Sequence, residues 1–333
     1  RIMEVCGTHT MAIARHALRQ LLPANVKLVS GPGCPVCVTS AGFIDAAVEI
    51  AGRGVMLASF GDLLKVPGSR SSLQDARAEG ADLRVVYSPS DALDLARTCA
   101  DREVVFLAVG FETTAPATAT VLLRAKEDGI SNFSLLCAHK LIPPAMRALA
   151  GDPALTIDGF LCPGHVSVVL GSGPYKFLAD DHGRPAVITG FEPLDVLDGI
   201  ARCLGQLVEG VARVEIQYSR AVRPEGNPLA RKRIEEAYVA ADESWRGLGV
   251  IPASGLTPRE EFSGLDARRR FGVTIVGGQD DPACRCGDVL KGIIEPAQCP
   301  LFGRRCTPAN PVGACMVSSE GSCAIHYKYR AKA

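Results

Sequence analysis

Val104-Val-Phe-Leu-Ala-Val109 runs directly into Gly110-Phe-Glu-Thr-Thr114-Ala-Pro116; an Ala/Leu-rich stretch at 115–126 follows, and residues 133–138 are apolar again. A short apolar run, a glycine turn, a helix-length segment and a second apolar run are the parts of a β–α–β unit whose parallel strands are buried on both faces. Outward from it the rhythm repeats. Further strands are expected at 27–30, 55–59, 83–88, 159–162 and 186–189, and helices at 41–51, 73–79, 89–100, 143–150 and 194–209, with Ser90-Asp91 as an N-cap. The pattern resets near Asp101, which favours two small sheets over one large one. From about Ala221 the texture changes to a charged helix at 229–245 and then to a Gly/Pro-rich region with little periodicity. The expected fold is α/β: two small α/β domains with mainly parallel sheets, at 1–100 and 101–220, and a smaller cysteine-rich, helical and irregular domain at 221–333.

The 333 residues are too many for one ordinary core, which agrees with several domains. Lys plus Arg number 36 and Asp plus Glu number 36, so no overall charge draws the chain to nucleic acid or anionic lipid. With 47% hydrophobic and 22% charged residues the composition is that of a folded protein. No apolar run reaches membrane-spanning length and no signal peptide follows Arg1, so a cytoplasmic location is expected.

Thirteen cysteines depart from the average, and in such a chain they point to metal or redox chemistry rather than to a disulfide framework. Six lie between Cys284 and Cys323. Only Cys284 and Cys286 form a tight pair; the next gaps, to Cys299, Cys306, Cys315 and Cys323, are 13, 7, 9 and 8 positions. Structural zinc usually wants two close pairs, so this irregular spacing favours an iron–sulfur cluster over zinc, disulfides or plain thiols. Near the N-terminus, Gly31-Pro-Gly-Cys34-Pro-Val-Cys37 follows an expected strand and precedes a helix. A helix N-terminus there would lower the thiol pKa of a redox or metal-binding pair; two buried cysteines in a tight turn is the competing reading. Cys6-Gly-Thr-His9 offers a thiolate and an imidazole to a soft metal, against a capping or core role for His9. Glu112, Thr113 and Thr114, and His165 in Pro163-Gly-His165-Val-Ser167, follow expected strands, where α/β sheets bind ligands. Helix capping competes for Glu112 and Thr113, a structural hydrogen bond for His165. Cys99, Cys137, Cys162 and Cys203 read as buried small apolar residues.

Together, Glu4-Val-Cys6-Gly-Thr-His9-Thr10, the Cys34/Cys37 loop, Gly110-Phe-Glu-Thr-Thr114, Pro163-Gly-His165-Val-Ser167, Cys306-Thr-Pro and Val317-Ser-Ser-Glu-Gly-Ser-Cys323 resemble, in order, the HypD family of [NiFe]-hydrogenase maturation proteins. The resemblance implies two α/β domains of related topology and a small domain holding a [4Fe-4S] cluster. It implies a scaffold formed with HypC, on which an iron ion receives two cyanides and one carbon monoxide, with cyanide delivered by HypE and, indirectly, by HypF. Cys6 would hold that iron with His9 nearby, and Cys34 and Cys37 would be a redox pair. Cys284, Cys299, Cys306 and Cys323 would ligate the cluster, and Cys286 with Cys315 would form a second thiol pair. Glu112, Thr113, Thr114 and His165 would bind cyanide or the incoming group. Such a chain is a redox-active assembly scaffold more than a conventional turnover enzyme. A stand-alone iron–sulfur thiol-disulfide reductase is the alternative, and it leaves Cys6 and His9 without a task.

Overall fold

The computed structural model describes residues 1–275 and 277–329. Its strands, in chain order, are β1 (Ile2–Glu4), β2 (Leu28–Ser30), β3 (Met56–Ser59), β4 (Leu83–Val85), β5 (Val104–Gly110), β6 (Phe133–His139), β7 (Gly159–Pro163), β8 (Ala186–Thr189), β9 (Val214–Ile216), β10 (Tyr238–Trp245) and β11 (Gly249–Pro258). They form two parallel sheets and one antiparallel pair. The chain divides into two compact units, Arg1–Cys37 with Ile142–Pro228 and Ala283–Ala333, and Val38–Leu141 with Leu229–Pro282.

The first unit carries the sheet β2-β1-β7-β8-β9. All residues of β1, β7 and β8 are buried, as befits strands covered on both faces. Helix Gly7–Arg15 and helix Pro193–Glu209 cover the sheet through a core that includes Ile2, Ile13, Leu161, Val187, Val196 and Ile200. Helix Ser322–Tyr329 of the cysteine-rich segment packs on helix Gly7–Arg15.

The second unit carries β4-β3-β5-β6, and all seven residues of both β5 and β6 are buried. A bridge between Lys140 and Gly255 sets the β10–β11 hairpin alongside β6. Lys140 is only 1% exposed; its Nζ donates to Ser244 O at 2.8 Å and lies 3.4 Å from Glu243 Oε1, and burial pushes its pKa down to about 8 against the pull of Glu243. This buried ion pair fastens the hairpin to β6.

Several expectations change. The contiguous division at about 100 and 220 does not describe how the sheets are shared: β1 and β2 pair into the sheet of β7–β9, while β3 and β4 join β5 and β6. The stretch 221–333 is likewise split, because the hairpin sides with β6 and the cysteines side with the first helix. The charged helix ends at Ala237, and Tyr238–Trp245 is extended because it pairs with β11. Ser88, not Ser90, caps helix Pro89–Thr98, in a reciprocal capping box with Asp91. Cys137, Cys162 and Cys203 are buried as expected, whereas Cys99 is half-buried at a helix C-cap.

Candidate functional site

The strand orders β2-β1-β7 and β4-β3-β5 share one feature: the second strand of each unit lies on one side of the first, and the third on the other. The loops leaving the first and third strands diverge there, and such a switch point at the carboxyl ends is where open α/β sheets bind ligands. In the first unit those loops carry Cys6, after β1, and His165, after β7.

Cys6 is the N-cap of helix Gly7–Arg15, in an extended conformation. Its backbone N–H donates to Glu4 Oε2 at 3.2 Å, and Thr10 Oγ1 donates to Glu4 Oε1 at 2.5 Å. The Gly31–Cys34 loop lies directly on Cys6: Gly7 N donates to Gly33 O at 3.1 Å, and a Cβ on Gly33 would collide with the Cys6 backbone. Only glycine fits at 33, which explains the Gly-Pro-Gly run better than turn chemistry alone. From the other side comes Glu320, whose Oε1 accepts from Thr8 Oγ1 at 3.0 Å; a Cβ on Gly7 would stand 2.5 Å from the Glu320 Cβ.

Burial pushes the Cys6 thiol up to about 12; the N–H groups of His9 and Thr8 pull it down, and the charges of Glu320 and Glu4 push it further up. The group at neutral pH is therefore a thiol, and a cation bound there would have to displace its proton. His9 does not ionise it. Its ring is buried, its Nε2 donates to Thr189 O at 3.1 Å and Gly190 O at 3.0 Å, and burial pushes its pKa down to about 4, so the imidazole is neutral.

Phe191 stands between two histidine rings, 4.9 Å from His9 and 4.0 Å from His165. His165 is exposed at the start of helix Gly164–Leu170, and Glu320 raises its pKa against a larger lowering by burial. Ser167 of the same motif is structural, with its Oγ donating to Pro163 O at 2.7 Å. Cys34 and Cys37 form a disulfide with Cα atoms 5.3 Å apart, and both are buried. The expected activated thiol at a helix N-terminus is thus an oxidised, sealed pair in this state.

Glu112, Thr113 and Thr114 belong to the second unit, after β5. The turn closes tightly: Thr114 N and Oγ1 donate to Phe111 O at 3.1 and 3.2 Å, and a Cβ on Gly110 would collide with Thr114 Oγ1. Thr114 takes the N-cap position without a side-chain capping bond; Glu112 is buried and Thr113 exposed.

In the cysteine-rich segment, Cys284, Cys286, Cys299, Cys306 and Cys323 line one small pocket with Leu301, Phe302, Gly313 and Met316. Cys315 is set apart from the lining; its hydrogen bonds with Cys286 and Cys323 raise its own pKa, while the hydrogen bonds of Cys323 with Cys286 and Cys315 lower that of Cys323 to about 6. Among the described residues no three His, Cys, Asp or Glu side chains converge as on a single ion. The lining itself is five soft sulfur donors in apolar surroundings, with no imidazole or carboxylate, and that donor set fits an iron–sulfur cluster.

Glu4 and Phe191 were not singled out from sequence. Glu4 reads there as one polar residue between apolar neighbours, yet burial raises its pKa from 4.5 to about 7 despite hydrogen bonds from Thr10, Ser30 and Cys6. Between those values the folded protein binds more protons than the unfolded chain, so Glu4 makes stability fall as pH rises, by roughly 3 kcal/mol over the window. Glu4→Gln removes that titration. The stability difference between parent and variant, from denaturant midpoints at several pH values, is expected to shift toward the variant from pH 4.5 to 7; a pH-independent difference would show that folding leaves the Glu4 pKa unshifted.

The sequence profile of the hydrogenase formation hypA family, HypD, matches residues 1–330. The chain is 47% identical over 338 aligned residues to hydrogenase maturation factor HypD2 of Bradyrhizobium diazoefficiens, covering 99% of this chain and 89% of that protein. To hydrogenase maturation factor HypD of Escherichia coli K12 it is 49% identical over 332 residues, and to hydrogenase expression/formation protein HupD of Azotobacter chroococcum 49% over 337, each with 99% and 89% covered. Among the described residues no helix is long and apolar enough to cross a membrane.

Proposed function

The chain belongs to the HypD family of hydrogenase maturation factors, and on that footing we propose that it is the scaffold on which, together with HypC, an iron ion acquires two cyanides and one carbon monoxide. The observation that carries this reading is Cys6: a half-buried thiol at the sheet's switch point, with Gly33 beneath it and Glu320 near enough for its charge to act on the thiol. The iron is cargo, bound as the Cys6 proton leaves, and a soft thiolate suits the electron-rich iron that cyanide and carbon monoxide require. His9, neutral and buried, shapes the site, and His165 donates to bound cyanide or to the incoming group. Glu112, Thr113 and Thr114 are assigned to binding the cyanide carrier.

Cyanide from HypE, itself supplied through HypF, arrives on sulfur, and releasing it is a two-electron reduction. The Cys34/Cys37 dithiol can perform it: a thiocyanate and two thiols give a thiol, hydrogen cyanide and the Cys34–Cys37 disulfide, with both thiol protons accounted for. On this reading a Cys34–Cys37 disulfide is the spent state. Cys284, Cys299, Cys306 and Cys323 would hold a [4Fe-4S] cluster, which supplies electrons singly at low potential. Cys286 and Cys315 would form the second thiol pair. Burial of both sulfurs of the N-terminal pair favours a small substrate and counts against a reductase of protein disulfides.

Cys34→Ser or Cys37→Ser is therefore expected to abolish hydrogenase maturation in a strain lacking its own factor while leaving the visible absorbance unchanged. Mild oxidation should lower the thiol count by two in the reduced parent and leave it unchanged in the variants. Normal maturation by both variants would make the pair structural.

A further inference from the structure

Asp195 is 7% exposed, in the first turn of helix Pro193–Glu209. Its Oδ1 accepts from Arg220 Nη1 at 2.8 Å and Gln217 Nε2 at 3.0 Å; its Oδ2 accepts from Glu192 N at 3.2 Å and from Arg220 Nη2. Gln217 passes the contact on, because its Oε1 accepts from Gly190 N at 3.0 Å. The Arg220 guanidinium lies 4.5 Å over the Tyr218 ring, and that ring meets Phe191 edge-on at 5.8 Å. A Cβ on Gly190 would collide with Asp195 Oδ2. Helix capping explains only the Glu192 contact; the remaining bonds join Asp195 to Arg220 and Gln217 after β9, and Gln217 carries the link on to Gly190 in the turn that follows β8.

That turn touches the Cys6 site in two ways. The carbonyls of Thr189 and Gly190 both accept from His9 Nε2, which fixes the tautomer with hydrogen on Nε2 and leaves Nδ1 a buried lone pair with no partner. Phe191, the next residue, is the ring on which His165 rests. If the turn relaxes, the tautomer of His9 and the seat of His165 change together.

We propose that Asp195, through Gln217 and Arg220, is a positioning residue for the iron-assembly site: it clamps the turn after β8 and thereby sets the tautomer of His9 and the orientation of His165. The inference rests on the reading of Cys6 as the iron-holding residue. It places a carboxylate behind an imidazole through one backbone turn, an arrangement whose loss usually costs about 10- to 100-fold in affinity or activity.

The test uses Asp195→Asn, which keeps the shape and removes the charge, and Gln217→Leu, which cuts the link to Gly190 while leaving the Asp195–Arg220 pair and the helix cap intact. Histidine ring nitrogen resonances are recorded on the protein without cargo iron, and cyanide and carbon monoxide infrared bands on the complex with HypC. Expected in both variants are a His9 signal with hydrogen appearing on Nδ1, shifted or broadened infrared bands, and maturation about 10- to 100-fold lower. Should one variant fail to fold, the other decides. An unchanged His9 tautomer overturns the proposal, as does a changed tautomer with bands and maturation like the parent's. Absence of bands in the parent itself would count against the iron reading alone, because the nitrogen signals are read without that iron.

Discussion

Replacing Cys306 or Cys299 by alanine is expected to bleach anaerobically purified protein, which in the parent should be brown with about four iron and four sulfide per chain. Both cysteines line the sulfur pocket, and Val312 N–H donates to Cys306 Sγ at 3.4 Å, a bond that suits a thiolate in an apolar wall. The effect should reach beyond colour. Residues 283–329 contain no strand of either sheet and only short helices, the longest being Ser322–Tyr329, so on the cluster reading ligation is expected to contribute much of what holds the segment. Limited proteolysis is therefore expected to cut the variants within this segment and spare the parent. Cys315→Ala, removed from the pocket lining, is expected to keep colour and iron. Full colour in both Cys299→Ala and Cys306→Ala would overturn the ligand assignment, and bleaching by Cys315→Ala would move Cys315 into it.

The sheets were legible where the strands are long and buried. β5 stands out because its seven residues from Val104 to Gly110 are covered on both faces and carry no polar side chain, and β6 because only Ser134 interrupts its apolar residues before His139. β1 and β9, three residues each, carry too little pattern to be seen. Tyr238–Trp245 contains Asp242 and Glu243 and looks like the charged helix before it; its strand character comes from β11 and from the Lys140 ion pair, both distant in sequence. Strand order was illegible for the same reason. The βα alternation announces parallel sheets and says nothing about which strand returns to which, so the crossing of β3 and β4 to β5 was hidden. The candidate residues Cys6, Cys34, Cys37 and His165 could be singled out because Cys, Gly and His in tight motifs have few structural uses together. Glu4, Phe191 and Asp195 were not, since each is ordinary in its own segment and meaningful only through the turn or loop that reaches it. At Cys6 the nearby His suggested an ionised cysteine, whereas burial outweighs the pull of the His9 and Thr8 N–H groups.

Cys6→Ala is expected to have the largest functional effect, complete loss of maturation with the brown cluster retained. Alanine offers neither a ligand nor a proton to exchange for a cation, and Cys34 and Cys37, the nearest other sulfurs in the loop against it, are buried. Fold loss does not explain such a result: Cys6 is half-buried, and deleting one sulfur there should cost about 1 kcal/mol. The most direct measurement is the infrared spectrum of the chain purified anaerobically with HypC. Bands of iron-bound cyanide and carbon monoxide are expected in the parent and are expected to vanish in Cys6→Ala at unchanged visible absorbance. If the Cys6→Ala complex kept those bands at full intensity, the iron would be held elsewhere and Cys6 would not be the anchor of the scaffold.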